Sequence, residues 1–284
     1  MPRVAFVTWS GLPGLSEDDR LAVAELGRRG STVQSTVWDA PGVVWTDFES
    51  VVLRSCWDYH HRPDAFLDWL AKLDGQGVPL WNPPAVVRDN VDKTYLRELE
   101  AVGIPVVPTI WLESGADADL EELMEERGWS EVVIKPTVSA SAFRTFRADS
   151  AKPRQSDLEE LLSASGALVQ LFLPEIETQG EWSLIFFGGK YSHAVLKRPK
   201  AGDFRVQNDF GGSASPERPS PALVEQARAV VATIPQPWLY ARVDGVDRGG
   251  VFTLMELELI EPSLFLGSDP QAPARFAEAI ANLV

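Results

Sequence analysis

The stretch from Arg242 to Phe265 reads RVDGVDRGGVFTLMELELIEPSLF, and it says more about the fold than any other part of the chain. Asp244 ends one apolar run. Glu256 and Glu258 lie two residues apart inside a second run, which begins after a turn that contains two glycines. Side chains at positions i and i+2 of a strand point to the same face. The pattern therefore predicts a strand with both glutamates on one face.

These acidic side chains suggest a metal site. Carboxylates beside the core of a sheet are costly unless a positive group neutralises them. Two or three carboxylates on one face suit a hard dication such as Mg²⁺, which prefers oxygen ligands and bridges to phosphates. The alternative is an amphipathic edge strand on which Glu256 and Glu258 are simply solvated. The residues that precede this segment along the chain favour the metal site.

Composition narrows the class of protein. The chain has 284 residues, of which 45% are hydrophobic and 24% charged, as in a globular protein with two or three lobes. A net charge of −15 disfavours binding to nucleic acid or to an anionic membrane. The lone cysteine, Cys56, excludes an intrachain disulfide and a thiol-rich metal site. Without a signal peptide or a membrane-spanning run, we expect a cytoplasmic enzyme or binding protein.

Strands and helices alternate in the first part of the chain, which predicts a parallel sheet. The third strand is followed by a polar and aromatic loop, Arg54–His61, in the position where such sheets bind ligands. The alternative is a loop packed down by Trp57 and Tyr59. The predicted strands are Val4–Thr8, Thr32–Val37 and Val51–Leu53, and the predicted helices are Asp18–Arg29 and Arg62–Leu73.

The rest of the chain mixes helices with strands in a different order. Asn90 is predicted to cap a helix, and Lys135 ends an apolar strand just before a small-residue loop. A solvated lysine is the alternative for Lys135. Gly188 and Gly189 form a hairpin turn. The predicted helices are Val91–Val102, Asp117–Arg127, Leu158–Ser163, Ala222–Ala232 and Ala272–Leu283, and the predicted strands are Val106–Trp111, Val132–Pro136, Leu168–Leu173, Trp182–Phe187, Tyr191–Lys197, Leu239–Val243 and Val251–Ile260.

The order of these features resembles that of the ATP-grasp ligases, which include glutathione synthetase and D-alanine–D-alanine ligase. The resemblance runs from Asn90 to the C-terminus and includes an Arg-x-Asp followed by the two glutamates. It implies an α/β fold made of α+β lobes. A parallel α/β substrate lobe, a central lid lobe and an antiparallel C-terminal lobe with the metal site would span residues 1–88, 89–168 and 169–284.

The resemblance also assigns roles, with ATP and Mg²⁺ as cofactors. Lysines would contact the α- and β-phosphates, backbone groups would pair with the adenine edge, and a glutamate would hold the ribose hydroxyls. Carboxylates would hold Mg²⁺, and two cations would face the γ-phosphate and the activated carboxylate. The phosphate contacts would be Lys93 and Lys135, the adenine contacts Gln170, Leu171, Phe172 and Leu173, and the ribose contact Glu181. The metal ligands would be Asp244, Glu256 and Glu258, and the two cations Arg205 and Lys197.

Two departures from the family pattern stand out. Glu258 occupies a position where many members have asparagine; it can still bind Mg²⁺ and it adds negative charge. The loop Thr137–Ala142 carries serine and alanine where relatives have several glycines that let the loop close over the γ-phosphate. A stiffer lid backbone is therefore expected.

The implied reaction joins a carboxylate to an amine. Transfer of the γ-phosphoryl group to the carboxylate makes an acyl phosphate, from which the amine displaces phosphate. Two alternatives remain open at this point. One is an ATP-grasp kinase that stops at a phosphorylated product, and the other is a nucleotide-binding module without turnover.

Substrate recognition is expected from the first lobe and from the loops around the metal site. Arg54 could bind a carboxylate and Asp58 an ammonium group, which together suit an amino acid. The candidate residues are Arg54, Ser55, Trp57, Asp58, Tyr59, Ser139, Ser141, Arg144 and Gln207.

Two strings of residues refine this expectation. Arg-Ser-x-Trp-Asp-Tyr and Met-Glu-Leu-Glu-Leu-Ile-Glu-Pro-Ser resemble the small ATP-grasp proteins that include the D-cycloserine-forming ligase. That resemblance implies antibiotic biosynthesis by ring closure on O-ureido-D-serine, with acid and amine from one molecule. Homodimers are common among such relatives, and the residues leave the oligomeric state open.

Simpler roles compete for several of these side chains. Glu181 could be solvated, and Arg205 could pair with Asp203 or Asp209. His193 is expected to pack in its strand, and the three histidines show no zinc-like spacing. A structural role is expected for Cys56. The tryptophans expected in the core are Trp9, Trp38, Trp57 and Trp81.

Overall fold

The computed structural model describes residues 1–207 and 210–283, and the strands of that part form three sheets. The first sheet contains β1 (Arg3–Thr8), β2 (Thr32–Val37), β3 (Ser50–Ser55) and β4 (Leu80–Trp81). All of its strand pairs are parallel, in the order β2-β1-β3-β4. The predicted parallel sheet is therefore confirmed.

Helices cover both faces of this sheet. They are α1 (Glu17–Arg28), α2 (Pro63–Gly75) and α3 (Pro84–Val91). Phe6 of β1 packs with Leu26 of α1 in one apolar cluster, while the next residue, Val7, packs with Phe66 of α2 in another. Alternate side chains of a strand point to opposite faces, so a nearly continuous apolar run indicates burial on both sides.

The second sheet is antiparallel. It contains β5 (Thr109–Leu112), β6 (Glu131–Pro136), β7 (Phe146–Asp149) and β8 (Ala167–Leu171), in the order β5-β8-β6-β7. The helices of this region are α4 (Tyr95–Ala101), α5 (Leu120–Arg127) and α6 (Gln155–Ala164). Ile134 and Val169 of the sheet pack with Leu158 and Leu161 of α6. Strand β7, which the sequence pattern did not predict, forms the edge.

The third sheet is also antiparallel and has five strands. They are β9 (Glu181–Phe187), β10 (Lys190–Arg198), β11 (Ser213–Pro216), β12 (Tyr240–Arg248) and β13 (Val251–Glu258), in the order β11-β10-β9-β12-β13. Gly188 and Gly189 make the β9–β10 turn with φ of 51° and 80°, as predicted. The helices are α7 (Glu175–Thr178), α8 (Pro221–Val231) and α9 (Ala272–Ala281).

One predicted helix, Val91–Val102, is interrupted. Helix α3 ends at Val91 and α4 begins at Tyr95, so Lys93 lies in the break and not one turn inside a helix. The Lys93 amide donates to the carbonyl of Thr137 at 2.9 Å, which replaces a helical hydrogen bond. Asn90 caps nothing: its side-chain amide donates to the Leu257 carbonyl of β13 at 2.8 Å. The break fixes Lys93 against β13.

Other predicted elements are present with shifted ends. Strand β5 covers only the last part of the predicted strand Val106–Trp111, because Val106 makes a single bridge to Leu254 of β13 instead. Strand β8 crosses residue 168, where we placed a lobe boundary, so the division into three lobes stays a prediction. In the described part of the chain, no helix is long and apolar enough to cross a bilayer.

Candidate active site

The β12–β13 hairpin places the acidic residues of the opening segment. Asp244 lies opposite Glu256, and Arg242 lies opposite Glu258. Gly245 pairs with Leu254, so Met255 is an extra residue without a cross-strand partner, which is a β-bulge. The predicted shared face of the two glutamates is confirmed.

The alternative of an edge strand with solvated glutamates is right about the edge and wrong about the solvation. Strand β13 is the edge of its sheet, but its glutamates are largely covered, with 30% of the Glu256 side chain and 21% of the Glu258 side chain exposed. Each is neutralised by a basic residue. Glu256 lies 2.8 Å from Lys93 Nζ, and Glu258 pairs with the guanidinium of Arg242.

Lys93 is buried and doubly held. Its Nζ donates to the Ser139 carbonyl at 2.7 Å as well as to Glu256. Burial by itself would lower the pKa of Lys93, but the neighbouring Glu256 outweighs it and the pKa is raised. The lysine is therefore a fixed positive charge between the small-residue loop and β13.

Lys197 and Glu181 are cross-strand partners on β10 and β9. The Lys197 Nζ lies 2.5 Å from Glu181 and 3.5 Å from Asp244. Only 8% of Glu181 is exposed, so the alternative of a solvated residue is wrong. Burial raises the pKa of Glu181 against the opposing effect of Lys197.

Arg242 is a residue to which the sequence reasoning gave no role. Its Nε and Nη2 donate to Asp244 at 3.0 and 2.9 Å, and Nη2 also binds Glu258. Burial raises the pKa of the Asp244 carboxyl, but Arg242 and Lys197 prevail and hold it at about 2. Burial dominates at Glu258, where it raises the pKa to about 8 despite Arg242. The signal was the Arg-x-Asp itself, because residues two apart on a strand share a face.

Lys135 ends β6 on the opposite wall of the same cavity. Within the described ranges, its ammonium group has neither an ion-pair partner nor a side-chain hydrogen bond. Burial lowers the pKa of Lys135, and Glu256 only partly opposes that effect. Lys135 as a whole is only half-buried, so the alternative of a solvated lysine is partly right and the role of this residue stays a prediction.

One cavity of about 350 Å³ collects these groups. Its walls come from β6 and β8 of the second sheet and from β9, β10, β12 and β13 of the third. Most of the residues predicted to bind nucleotide, metal or substrate line it. They are Trp57, Tyr59, Lys93, Lys135, Ser139, Ser141, Gln170, Leu171, Leu173, Glu181, Lys197, Arg205, Gln207, Asp244, Glu256 and Glu258.

Phe172 is not among the lining residues. Its ring packs under the Arg147 guanidinium at 3.8 Å, and its backbone amide donates to Glu131 at 3.0 Å. The amide of Phe172 is therefore already engaged, as is the amide of Leu171, which donates to the Pro108 carbonyl at 3.0 Å.

Arg205 lies at the rim of the cavity. Its Nη2 is 2.7 Å from Asp203, as one alternative expected, and its guanidinium lies 3.6 Å from the centre of the Phe210 ring. Its other expected partner, Asp209, lies outside the described residues.

Three predicted substrate residues point elsewhere. Arg54 is buried, with Nε 2.7 Å from Asp19 and Nη2 donating to the Pro262 carbonyl, so it has no room for a substrate carboxylate. Ser55 donates to the same aspartate. Asp58 accepts from Trp38 Nε1 at 2.8 Å and pairs with an arginine. These predictions are wrong because the groups satisfy one another inside the first lobe.

The fourth, Arg144, pairs with Glu160 and lines a neighbouring cavity. Its loop has left-handed backbone at Ser141, Ala142 and Arg144, with φ of 52°, 55° and 50°. Residues other than glycine adopt this conformation at a cost of roughly 1–2 kcal/mol each. The lid thus adopts the left-handed backbone conformation that glycine favours, although it contains no glycine.

The remaining expectations concern residues outside the chemistry. His193 packs in β10, with Nε2 bound to the Leu264 carbonyl at 2.8 Å. Cys56 is buried and unpaired, as a structural residue should be. Trp38 is in the core as expected, whereas Trp9 and Trp57 line cavities.

Two further residues of the cavity escaped the sequence reasoning. The Tyr95 hydroxyl accepts from the Leu257 amide at 3.0 Å, and Glu261 is buried at the end of the acidic string. Glu261 stands in the string Met-Glu-Leu-Glu-Leu-Ile-Glu-Pro-Ser, so its charge was visible, but its burial was not.

The carboxylate oxygens of this site show how well it fits Mg²⁺. Among the residues with described coordinates, no group of three or more His, Cys, Asp or Glu is arranged to hold a metal ion. The carboxylates of Asp244, Glu256 and Glu258 are instead neutralised by basic side chains. Oxygen donors on facing strand positions suit Mg²⁺ chemically, and the ion would take over the charges that the cations now balance.

Comparison with known proteins identifies the family. Residues 4–82 match the model of the D-cycloserine synthetase DcsG N-terminal domain. The chain is 32% identical over 269 residues to the cycloserine biosynthesis protein DcsG of Streptomyces lavendulae, covering 89% of each. The chain belongs to the DcsG family of ATP-grasp ligases.

Solved structures agree with this assignment. A crystal structure of D-cycloserine synthetase DcsG superimposes with a TM-score of 0.89 and 30% identity, over 99% of this chain and 100% of that one. D-alanine–D-alanine ligase from Bacillus anthracis, complexed with ATP, gives a TM-score of 0.71 at 17% identity, over 100% of this chain and 96% of the other. The latter shows a shared fold. The predicted ATP-grasp fold and ligase class are confirmed.

Proposed function

We propose that this DcsG family member uses ATP and Mg²⁺ to phosphorylate the carboxylate of an amino-acid-like substrate and then joins the acyl group to an amine. The observation that supports it best is the convergence of Lys93, Lys135 and Lys197 with Asp244 and Glu256 on one cavity. A triphosphate needs several cations, and a bridging Mg²⁺ needs carboxylates beside them.

The lysines would hold the phosphates. Lys135 has the greater freedom to do so, because Lys93 is already bound to Glu256 and the Ser139 carbonyl. Backbone groups of Gln170–Leu173 would contact the adenine edge. Glu181 would accept from the ribose hydroxyls while Lys197 neutralises it.

Asp244, Glu256 and Glu258 would hold Mg²⁺. The ion would neutralise charge on the β- and γ-phosphates and orient them for in-line displacement. Arg242 binds two of these carboxylates, which keeps Asp244 ionised at neutral pH and fixes both acids in place.

The two chemical steps follow from this arrangement. A carboxylate oxygen of the substrate attacks the γ-phosphorus, and the bond to the β-phosphate oxygen breaks to release ADP. The neutral amine nitrogen then attacks the acyl carbon and loses a proton, and the bond from the acyl carbon to the phosphate oxygen breaks to release inorganic phosphate. Lys197 and Arg205 would neutralise the developing charge, because they are the remaining cations of the cavity wall.

Ring closure within one substrate is the form of this reaction that we favour. The protein with 32% identity over 89% of each chain is named for cycloserine biosynthesis.

The proposal can be tested with purified protein, Mg-ATP, O-ureido-D-serine and a panel of D- and L-amino acids. We expect phosphate release that depends on an amino acid, with mass spectrometry showing a product with a new C–N bond. Accumulation of a phosphorylated product would indicate a kinase. Nucleotide binding without any turnover would indicate a binding module.

A further inference from the structure

Glu261 is a buried carboxylate with no basic partner. Only 8% of the residue is exposed, yet its carboxylate lines the active-site cavity. Its carboxylate forms no ion pair within 4.0 Å and no side-chain hydrogen bond with any residue of the ranges 1–207 and 210–283. Burial, reinforced by Glu258, raises the pKa of Glu261 well above its usual value. An unpaired buried acid is costly, so its retention calls for a ligand.

The charge pairing of the cavity makes Glu261 stand out. The other four cavity carboxylates each have a basic partner: Glu256 has Lys93, Glu181 has Lys197, and Asp244 and Glu258 share Arg242. Within the described part of the cavity wall, this leaves one basic and one acidic side chain without an ion pair. The basic one is Lys135, which suits a phosphate, and the acidic one is Glu261, whose charged form a bound positive group would stabilise.

The segment that carries Glu261 is held rigidly by its backbone. Four successive carbonyls, from residue 260 to residue 263, each accept a hydrogen bond from a side chain of another element. The donors, in carbonyl order, are Tyr240 at 2.6 Å, Trp57 at 3.0 Å, Arg54 at 3.1 Å and Arg242 at 3.2 Å. Such a segment cannot move away from the cavity without breaking several bonds. The main chain that carries Glu261 is therefore fixed beside the cavity in advance of binding.

Glu261 lies near the charged groups of the proposed metal site, which include Glu258 and Lys93, but its segment also contacts an aromatic side chain. Trp57 donates its indole N–H to the Glu261 carbonyl, and both Trp57 and Tyr59 line the same cavity. Aromatic faces attract ammonium groups but do not coordinate Mg²⁺, which requires oxygen ligands in near-octahedral geometry. The end of the cavity at Glu261 therefore favours an organic cation over a metal ion.

We propose that Glu261 binds an ammonium group of the substrate, other than the nitrogen that attacks the acyl carbon, and so restricts this enzyme to carboxylic acids that carry this additional amino group. The inference rests on the proposed function, because it places the ammonium in the same cavity as the carboxylate that is activated. Glu261 takes over the role that the sequence suggested for Asp58, which is occupied inside the first lobe. It is a specificity-determining residue, and the charge pair forms only when substrate is present.

The test compares matched substrates on the wild type and on Glu261→Gln. Two probes are used. The first is whichever compound, O-ureido-D-serine or an amino acid, supports the fastest phosphate release by the wild type. The second is the analogue of that compound in which hydrogen replaces the amino group proposed to bind Glu261. Glutamine keeps the shape and removes the charge. We expect kcat/KM for the amino acid to fall by about 100-fold in the variant, the loss typical of one buried charge pair. Activity with the analogue should be low in both proteins and change little.

Two controls separate this role from others. Glu225→Gln on α8, whose side chain is 71% exposed, should leave kcat/KM for both probes unchanged. The Mg²⁺ concentration at half-maximal rate and the Kd for ATP should be the same in the wild type and Glu261→Gln. A raised Mg²⁺ requirement in the variant would make Glu261 a metal ligand and overturn the proposal.

The remaining outcomes distinguish the two proposals. If wild type turns over the amino acid and its analogue equally well, the ligase function stands and the Glu261 assignment is wrong. The same holds if Glu261→Gln loses no more activity with one probe than with the other. If no carboxylate supports phosphate release by the wild type, the proposed function fails and the Glu261 assignment fails with it.

Discussion

Asp244 of β12 lies directly opposite Glu256 of β13, one step away from a bulge that leaves Met255 unpaired. The bulge explains how Leu254 and Leu257 can both be buried while Glu256 faces the cavity. Leu254 and Leu257 belong to the same apolar cluster although they are three residues apart, which a regular strand would place on opposite faces. The extra residue brings both leucines into the core and turns Glu256 toward the cavity. Gly245 belongs to the bulge, since an added Cβ would lie 2.5 Å from the Thr253 carbonyl.

The first prediction concerns Glu256. Glu256→Ala should abolish ADP formation, a loss of at least about a hundredfold, because it removes a carboxylate proposed to hold Mg²⁺. It should also lower stability by up to about 3 kcal/mol, because Lys93 would be left buried without its partner. Coupled-enzyme assay of ADP and thermal denaturation measure the two effects. Circular dichroism should show a retained fold, and unchanged turnover would refute the metal assignment.

The second prediction concerns Lys135. Lys135→Ala should raise the Kd for ATP about tenfold to a hundredfold, the equivalent of one lost charge-assisted hydrogen bond. Stability should not fall by a comparable amount, because this desolvated lysine has no ion-pair partner to leave behind within the described residues. Calorimetric titration with ATP is the measurement, and Lys190→Ala at the exposed end of β10 is the control. Wild-type affinity in Lys135→Ala would remove this residue from the site.

The third prediction tests the corrected role of Arg54. Arg54→Met should destabilise the protein by about 3–5 kcal/mol, because Asp19 would become an unpaired buried charge. Adding Asp19→Leu should restore part of that loss, since both charges are then gone. Urea denaturation of the single and double variants measures the coupling. A fully stable Arg54→Met whose only defect is a raised KM for substrate would revive Arg54 as a substrate ligand.

The fourth prediction concerns pH. His60 lines the cavity next to the lid, and burial lowers its pKa to about 4. The unfolded state therefore binds more protons than the folded state between pH 6.5 and about 4, and stability conferred by the neutral ring is lost as pH falls through that window. His60→Phe keeps a ring against Phe143, whose centre lies 5.0 Å from that of His60. We expect the Tm of the wild type to drop relative to His60→Phe between pH 7 and pH 4.5. A Tm difference that is independent of pH would show that His60 already titrates normally in the folded protein.

Much of this architecture was predictable because it depends on local pattern. The apolar run of β6, the glycine turn between β9 and β10 and the alternation of the first lobe each indicate their element within a few residues. Strand β7 and the break at Lys93 were not predictable. Strand β7 pairs with β6, the strand before it, while the Lys93 amide donates to the Thr137 carbonyl, which is distant in sequence. No local signal reports either partner.

The residues of the candidate site also divide into those that the sequence predicted and those that it did not. Charged residues in or next to apolar runs, such as Lys135 and Asp244, were visible in the sequence and do line the cavity. Trp57 and Tyr59 of the first-lobe loop line the cavity as well, but Arg54, Ser55 and Asp58 were misjudged, because such residues can serve a substrate or one another. Arg54 has Asp19 as its partner, and only three-dimensional proximity decides between these roles.

The sequence alone determined which charges this protein carries and on which strand faces they lie, because side-chain direction in a strand follows from a period of two residues. The tertiary structure decided which charges neutralise one another. Arg242 bridges Asp244 and Glu258, Lys93 holds Glu256, and Glu261 receives no counterion from the described chain. Coulombic pairing depends on distance and burial, and both are set by the packing of elements far apart in the sequence.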